Sequence, residues 1–348
     1  GHSLAYRAFY GLPLYDRGGR PSFTNRAGEF TNAVYGFVSM LIKSWAEESP
    51  DYIAVAFDLG RTFRDDLYAE YKGTREKMPE ELVPQIDRIV QLVEAFGLPA
   101  VAADGFEADD ILGTLAARGA AEGMDVVIVT GDSDAFQLID ANVRVVAPGR
   151  LWTEVAAHDE EAIVRRYGLR PAQLVDYKAL VGDSSDNIPG VRGIGEKSAG
   201  PLLAAYGTIE GVYEHLDEVT PNRVRNALEA GREMADLSKR LVTIRRDVPL
   251  DLDWQRCAAR AYDRARVLAL FDELEFRSIR DRLPKVGVES RAGAAATAGE
   301  PPAAGPGRVT ASGQLAMFGP DEGRAQPVGE RAGGPGTEAV AVRDEAAL

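Results

Sequence analysis

The chain has 348 residues, 45% of them hydrophobic, and a formal net charge of -14 at pH 7. This size allows one or two domains with a substantial core. Membrane spans need roughly 18 consecutive apolar residues, and no such segment or charged-then-apolar leader occurs. We therefore expect a soluble, cytoplasmic monomer with no membrane partner.

The metal-binding chemistry open to this sequence is that of oxygen donors. Cys257 is the single cysteine, so an internal disulfide and a thiolate metal site are excluded. The three histidines are scattered and are expected at the surface or in the core rather than as ligands. Carboxylates remain, and these suit hard ions such as Mg²⁺ or Mn²⁺.

The acidic net charge by itself argues against a nucleic-acid partner. The basic residues are nevertheless concentrated: five lie between Arg61 and Lys77, and residues 222–246 carry seven against three acids. Such local clusters can follow a phosphate backbone while acids elsewhere bind metal or face water.

The first half of the chain alternates strands with helices. It opens with a helix (GHSLAYRAFYGL) where an α/β domain normally opens with a strand, so we infer that a first strand is missing. Helices are expected at 28–48 and 84–96, with strands at 52–57, 98–102, 126–129 and 143–147. Residues 1–152 are therefore predicted to form an α/β core, with a mainly parallel central sheet and helices on both faces.

Residues 60–79 form a long polar, basic and aromatic connection within this core. A solvated loop is one interpretation, but connections of this length are usually functional or disordered. Tyr71, Lys72 and Arg75 combine a stacking ring with cations that bind phosphate.

The strands are expected to stop after Trp152. Residues 153–284 are predicted to be a helical region, and residues 285–348, rich in Ala, Gly, Pro, Glu and Arg, a disordered linker or tail.

Five carboxylates are concentrated between Gly105 and Leu138. They lie at a helix start or directly after the apolar run 126–129, and they are Glu107, Asp109, Asp110, Asp132 and Asp134. Ligands bind outside the carboxyl ends of parallel strands, so these acids should converge and need a cation. Residues three apart share a helix face, which favours Glu107 and Asp110 as joint ligands over Asp109. Helix capping and dipole effects are the structural alternative.

Further carboxylates extend this set. Asp58 follows the strand at 52–57, and Asp183 and Asp186 stand in the segment GDSSDNIPGVRGIGEKSAGPLL, residues 182–203. In that segment Gly190, Gly193 and Gly195 form a glycine hairpin before a helix whose first turn carries Lys197 and Ser198. Glycines let backbone amides approach a phosphate, and a helix N-terminus favours an anion.

The motifs GFEADD, TGDSDAFQL and GDSSDNIPGVRGIGEK, together with these acids, resemble the 5′-nuclease (flap endonuclease) family over residues 1–284. The branch nearest in likeness is the 5′-to-3′ exonuclease domain of bacterial DNA polymerase I. The resemblance implies a flap-endonuclease-like fold and a nucleoid-associated bacterial enzyme that removes primers or flaps in replication and repair. Such an enzyme acts on DNA with 5′ flaps, nicks or ends.

The resemblance also implies roles for particular residues. Two or more Mg²⁺ or Mn²⁺ ions would be bound by the acids, and residues 182–203 would be a helix-hairpin-helix that grips duplex DNA, commonly with K⁺. Residues 60–79 would form an arch in which Tyr71, Lys72 and Arg75 contact substrate, Lys72 and Arg75 also act in catalysis, and Arg7 contacts another phosphate. The implied metal ligands are Asp58, Glu107, Asp109, Asp110, Asp132, Asp134, Asp183 and Asp186.

The sequence departs from the family at its start, where the family has a metal-binding Asp immediately before the residue that is Gly1 here. A catalytically impaired DNA-binding fragment is therefore the alternative to an active nuclease. A related small RNase is a second alternative, against which the glycine hairpin and the long arch argue.

One apolar island interrupts the tail. Gln314, Leu315, Met317 and Phe318 resemble the short motif by which bacterial replication proteins bind the sliding clamp. An exposed apolar cluster in a disordered segment is typical of docking, although an inert linker is the alternative.

Overall fold

The computed structural model describes residues 1–148, 155–259 and 262–285. The described chain is a mixed α/β structure, rich in helices, in which the strands are short. Its α-helices are α1 His2–Gly11, α2 Asn32–Glu48, α3 Phe63–Leu67, α4 Val83–Ala95, α5 Ala108–Ala121, α6 Glu160–Tyr167, α7 Leu174–Val181, α8 Glu196–Tyr206, α9 Ile209–Glu214, α10 Asn222–Ala230, α11 Arg232–Val242 and α12 Arg264–Glu273. Its strands are β1 Val55–Ala56, β2 Ala100–Val101, β3 Val126–Val129, β4 Val143–Pro148 and β5 Val155–His158.

The strands form two small sheets, so the prediction of one central sheet is wrong in this respect. β1 pairs with β2 in parallel, and β3 pairs with β4 in parallel. In the described chain β1 and β3 have one strand neighbour each. A cavity of about 760 Å³ separates them, lined by parts of α1, α2, α5, β1 and β3.

The prediction that strands stop after Trp152 is also wrong. β5 lies antiparallel to β4, with Val145 opposite His158 and Ala147 opposite Ala156. Its sequence, VAAH, is short and half alanine, so it carries little strand signal of its own. Pairing with β4 decides its conformation, as tertiary context commonly does for strands.

Two apolar cores support the molecule. The first joins α1, α2 and α4 around Phe37 and Ile89, and α12 returns to it through Phe271. The second lies in the helical region, where Leu180 of α7 packs with Leu203 of α8. A smaller cluster beneath α5, β3 and β4 supports the segments that carry the acids.

The predicted arch, residues 60–79, lies against the acids. It contains the five-residue helix α3, followed by turns. Thr62 caps α3 by accepting a hydrogen bond from the Arg64 amide, and the Lys72 amide donates to the Asp186 carbonyl at 2.9 Å. The bond from Lys72 fixes this segment against the chain near Asp186, and the bond to Thr62 fixes the start of α3.

None of the described helices has the length and apolar character that crossing a membrane requires.

Candidate active site

The acids meet where β1 and β3 end and α5 begins. The Ala108 amide at the start of α5 donates to Asp58 at 2.9 Å, which joins the end of β1 to this helix. Beyond β3, the Asp132 carboxylate accepts from the Asp134 amide at 2.9 Å and so caps a 3₁₀ helix, Ser133–Leu138. Local capping therefore orients acids that the strand ends deliver.

Asp109, and not Asp110, faces the other acids, which reverses the preference predicted from helical spacing. Glu107 is the N-cap of α5 and has extended backbone, so it lies outside the helical spacing, and its carboxylate meets that of Asp110 at Arg64 Nη1, at 3.7 and 2.7 Å. Instead, burial and then the charges of Asp132, Asp58 and Glu107 act on the Asp109 carboxyl and raise its pKa.

Asp110 is fully buried and its carboxylate is occupied by protein donors. Arg64 donates to both of its oxygens, at 2.7 and 2.9 Å. The amides of Glu107 and Arg245 donate to the same carboxylate at 3.0 and 2.8 Å. With four donors in place, Asp110 braces the start of α5 and has no lone pair directed at a metal.

The crowding of like charges is visible in the pKa values. Burial, and then the charges of neighbouring acids, raise the pKa of Asp109 well above its ordinary value. Burial and the Asp134 charge raise the pKa of Asp132 to about 7. Burial acts in the same direction on Asp58, but the hydrogen bond and charge of His2 and the charge of Lys72 outweigh it and lower its pKa. Acids that resist ionisation at neutral pH are typical of a site that takes up a cation.

In this structure basic side chains contact the acids. Lys72 Nζ lies 2.7 Å from Glu107 Oε1 and 3.9 Å from Asp186 Oδ2. Arg75 forms an ion pair with Asp186, and its Nε donates to the Ser185 carbonyl at 3.1 Å. Within the described ranges, no three acids, histidines or cysteines are arranged to hold a metal ion. Glu107, Asp186, Asp134 and Asp183 contact Lys72, Arg75 or Lys178 instead.

Tyr71, Lys72 and Arg75 were predicted to face substrate, and the structure buries their side chains among the acids. The Tyr71 hydroxyl lies 3.3 Å from Glu107 Oε2 and 3.2 Å from Asp186 Oδ2. Burial and the Glu107 charge raise the Tyr71 pKa well above its ordinary value. Contact with DNA would require this segment to leave the carboxylates.

The glycine hairpin connects α7 to α8. Gly193 has a φ of +95° and is exposed, and Gly195 is the exposed N-cap of α8. Lys197, in the first turn of α8, is exposed, and Ser198 beside it is half-buried. Gly190 is different, since it is buried and an added Cβ would lie 2.3 Å from the Gly182 amide nitrogen. Its role is therefore a close backbone crossing rather than contact with DNA.

Arg7 lies on α1 beside the acids. A Cβ added to Gly131 would lie 3.6 Å from its guanidinium, so the cation is adjacent to the segment that leads to Asp132. The phosphate contact of Arg7 stays a prediction.

Three site residues were not predicted from the sequence. Lys178 of α7 donates to Asp134 and, at 2.8 Å, to Asp183. Arg64 binds Asp110, and His2 lies 3.1 Å from Asp58. Lys178 directly precedes the apolar run ALV that leads to Gly182, and a cation at this position was the available sequence signal. His2 and Arg64 had none, because their partners are 56 and 46 residues away.

The acid set fits a divalent metal by its chemistry. Its members are oxygen donors, and after burial the charges of neighbouring carboxylates are the next cause that raises the pKa of Asp109 and Asp132, so several like charges lie close together. The residues able to bind such ions, where necessary after release from a basic partner, are Asp58, Glu107, Asp109, Asp132, Asp134, Asp183 and Asp186.

Two family models match most of the chain. Residues 1–168 match the 5′-3′ exonuclease N-terminal resolvase-like domain, and residues 169–265 match the 5′-3′ exonuclease C-terminal SAM fold. The chain therefore belongs to the 5′-3′ exonuclease family. It is a 5′-3′ exonuclease domain of the kind found in bacterial DNA polymerase I.

Curated relatives support this assignment. DNA polymerase I of Chloroflexus aurantiacus is 46% identical over 338 residues, which are 95% of this chain and 34% of that protein. DNA polymerase I of Bacillus caldotenax is 45% identical over 284 residues, which are 81% of this chain and 32% of that protein. The chain thus spans about a third of the length of these relatives.

Solved structures share the fold. T5 5′-exonuclease with divalent zinc ions bound aligns with a TM-score of 0.52 at 20% identity, covering 72% of this chain and 93% of that one. A complex of the bacteriophage T5 D15 flap endonuclease with DNA and metal ions aligns with a TM-score of 0.50 at 22% identity, covering 69% and 86%. At these identities the likeness concerns the fold, and it confirms the predicted flap-endonuclease-like architecture.

Proposed function

We propose that this chain is a metal-dependent, structure-specific nuclease that hydrolyses DNA phosphodiesters at 5′ ends and 5′ flaps. The observation that carries the proposal is the convergence of Asp109, Asp132 and Asp134 in one crevice, where the pKa of Asp132 rises to about 7. A site with this excess of negative charge binds divalent cations, and it repels a DNA phosphate unless they are present.

Two or more Mg²⁺ or Mn²⁺ ions are the proposed cofactors. Bound there, two such ions supply an activated water and charge stabilisation for the leaving oxygen of an in-line displacement. The protein provides oxygen donors from the strand ends and from the segment between α7 and α8. Asp110 is omitted from the proposed ligands because Arg64 and two backbone amides occupy it.

Lys72 and Arg75 are proposed to change partners during the reaction. In the free protein they neutralise Glu107 and Asp186. When divalent cations occupy the crevice, they neutralise Glu107 and Asp186 in place of Lys72 and Arg75. The two basic side chains can then contact the scissile phosphate. Positive charge there stabilises the transition state.

The hairpin at 182–203 is proposed to bind the duplex arm of the substrate. Exposed Gly193, Gly195 and Lys197, together with the amino end of α8, offer amides and a cation to phosphates without contacting base edges. A K⁺ ion bound at this turn is part of the proposal.

Cleavage of a 5′-flap oligonucleotide tests the proposal. We expect Mg²⁺-dependent release of the flap, complete loss with Asp134→Ala, and activity within about threefold of wild type with Asp281→Ala, an exposed acid that does not line the cavity. DNA binding without cleavage would support the impaired-fragment alternative. Cleavage of an RNA hairpin in preference to flap DNA would support the RNase alternative.

We further propose that the cavity between β1 and β3 receives another strand. Val55 and Phe57 donate to the β2 side, so Ala54 and Ala56 direct their backbone groups toward the cavity. The Gly1 amino group donates to the Ala56 carbonyl within this space. A strand there would join the two sheets and place its last residue beside Asp58.

Adding four apolar residues and an Asp before Gly1 tests this proposal. We expect a higher melting temperature and faster flap cleavage than with a Gly/Ser extension of equal length. Equal melting temperatures for the two extensions would contradict it.

A further proposal concerns Gln314, Leu315, Met317 and Phe318, which lie outside the described residues. We propose that they bind a sliding clamp, so that a weak contact raises the local concentration of the nuclease on DNA. The test is a titration of peptide 308–324 against a bacterial clamp. Binding that is unchanged by Leu315→Ala with Phe318→Ala would refute it.

A further inference from the structure

Lys178 bridges two acids from different parts of the molecule. It lies on α7, and its Nζ donates to Asp134, in the 3₁₀ helix after β3, and at 2.8 Å to Asp183, at the start of the hairpin. Its side chain is 22% exposed and therefore points into the crevice rather than into bulk water. One ammonium group thus binds two of the proposed ligands and offsets one of their two negative charges.

We propose that Lys178 is an internal competitor for the divalent ion. In the free protein its ammonium occupies the position between Asp134 and Asp183, and it must move out before a metal ion can bind both carboxylates. This inference rests on the proposed metal-dependent function, and it adds a residue that controls when the site is loaded.

The competition follows from which carboxylate oxygens Lys178 occupies. Asp134 Oδ1 and Asp183 Oδ2 accept from Lys178, while Asp183 Oδ1 accepts from the Ser185 amide and hydroxyl at 2.9 and 2.6 Å. A divalent ion that used these oxygens would stand beside an ammonium of like charge. The two cations therefore exclude each other.

Displacement would have a second consequence at the same place. The released ammonium group remains attached to α7 beside the crevice, where it can donate a hydrogen bond to a DNA phosphate. Metal and DNA then favour the same displaced position of Lys178, so each should strengthen the binding of the other.

A structural brace is the alternative role. If Lys178 only held α7 and the hairpin against the core, its removal would lower stability and would leave metal affinity unchanged or weaker. Metal affinity therefore separates the two roles, and cleavage activity is not needed to do so.

The test compares two methionine variants of the whole chain. Lys178→Met removes the competing charge. Lys239→Met is the matched control, because Lys239 also bridges two acids, with Nζ 2.7 Å from Asp176 and 2.6 Å from Glu210, outside the crevice. Mn²⁺ binding is measured by titration calorimetry and by electron paramagnetic resonance without DNA, and thermal melts in EDTA confirm that each variant is folded.

We expect Lys178→Met to tighten Mn²⁺ binding by about tenfold. This factor lies within the range by which one binding event typically changes the affinity of another. Lys239→Met should bind as the wild type does. Lys178→Arg retains the charge and should also stay close to wild type, which distinguishes charge from packing. Should Lys178→Met fail to fold, Lys178→Gln serves as the neutral variant.

Unchanged or weaker Mn²⁺ binding in the neutral variant would overturn this inference alone. If the wild-type chain does not bind Mn²⁺, or binds it equally well after Asp134→Ala, the proposed function is overturned and this inference with it. The two failures are therefore distinguishable in one experiment.

Discussion

Asp109 and Asp110 are neighbours in the sequence, and their substitution by Asn should change stability in opposite directions. Asp110 is fully buried and receives four hydrogen bonds, two of them from Arg64. Asp110→Asn removes the charge and leaves the buried guanidinium with one carboxylate partner in the described chain, Glu107, at 3.7 Å. Breaking one partner of a buried ion pair costs roughly 3 to 5 kcal/mol, and we expect a loss in that range.

Asp109→Asn should stabilise the metal-free chain. Burial and the charges of Asp132 and Asp58 raise the Asp109 pKa, so the folded state favours the neutral acid. An acid with a raised pKa contributes stability at low pH that is lost as the pH rises toward its folded pKa. At pH 7 a neutral amide avoids that loss. We therefore expect Asp109→Asn to raise the free energy of unfolding at pH 7.

Urea unfolding in EDTA at pH 7 measures both free energies. Arg64→Met should lower the free energy of unfolding by at least as much as Asp110→Asn, because it removes the same ion pair together with the hydrogen bonds to the Leu241 and Thr243 carbonyls. A loss below about 1 kcal/mol for Asp110→Asn would refute the structural role given to Asp110, since buried pairs cost more than this when broken. Destabilisation by Asp109→Asn would refute its place among the acids.

Other predictions concern metal, pH and DNA. Asp134→Ala should abolish cleavage while flap DNA binding in EDTA, measured by fluorescence anisotropy, stays equal or tightens, because a repelling charge is removed. Lys72→Ala should slow single-turnover cleavage by about 100-fold, and an unchanged rate would argue against its catalytic role. Because the pKa of Asp132 is about 7, Mn²⁺ binding should strengthen from pH 5.5 to 7.5 as this acid loses its proton, and Asp132→Asn should flatten that dependence. Lys197→Ala should weaken duplex binding regardless of sequence and reduce the salt dependence by about one phosphate contact; a change in base preference would contradict a backbone contact.

Elements with strong local signals could be predicted from the sequence. Helix α2, strand β3 and the hairpin before α8 follow from apolar periodicity and glycine placement. The acids after strand ends also followed, since Asp58, Asp132 and Asp134 reach the same crevice. The sequence did not predict β5, whose alanines carry little strand preference without β4.

The partners of the acids could not be predicted in the same way. Arg64 meets Asp110 across 46 residues, and Lys178 meets Asp134 across 44. Such pairs depend on how α3 and α7 pack against the core. The exchange of roles between Asp109 and Asp110 has a simpler cause, because Glu107 caps α5 with extended backbone and the helical spacing begins one residue later than assumed.

Diffraction at the manganese edge, from crystals of the chain grown with Mn²⁺ and flap DNA, tests most directly whether the crevice of acids binds the catalytic metal ions. We expect anomalous peaks within bonding distance of Asp109, Asp132, Asp134 and Asp183, with Lys178 turned away and Asp110 still bound to Arg64. Absence of manganese from this crevice, or manganese bound to Asp110, would contradict a metal site built from these acids.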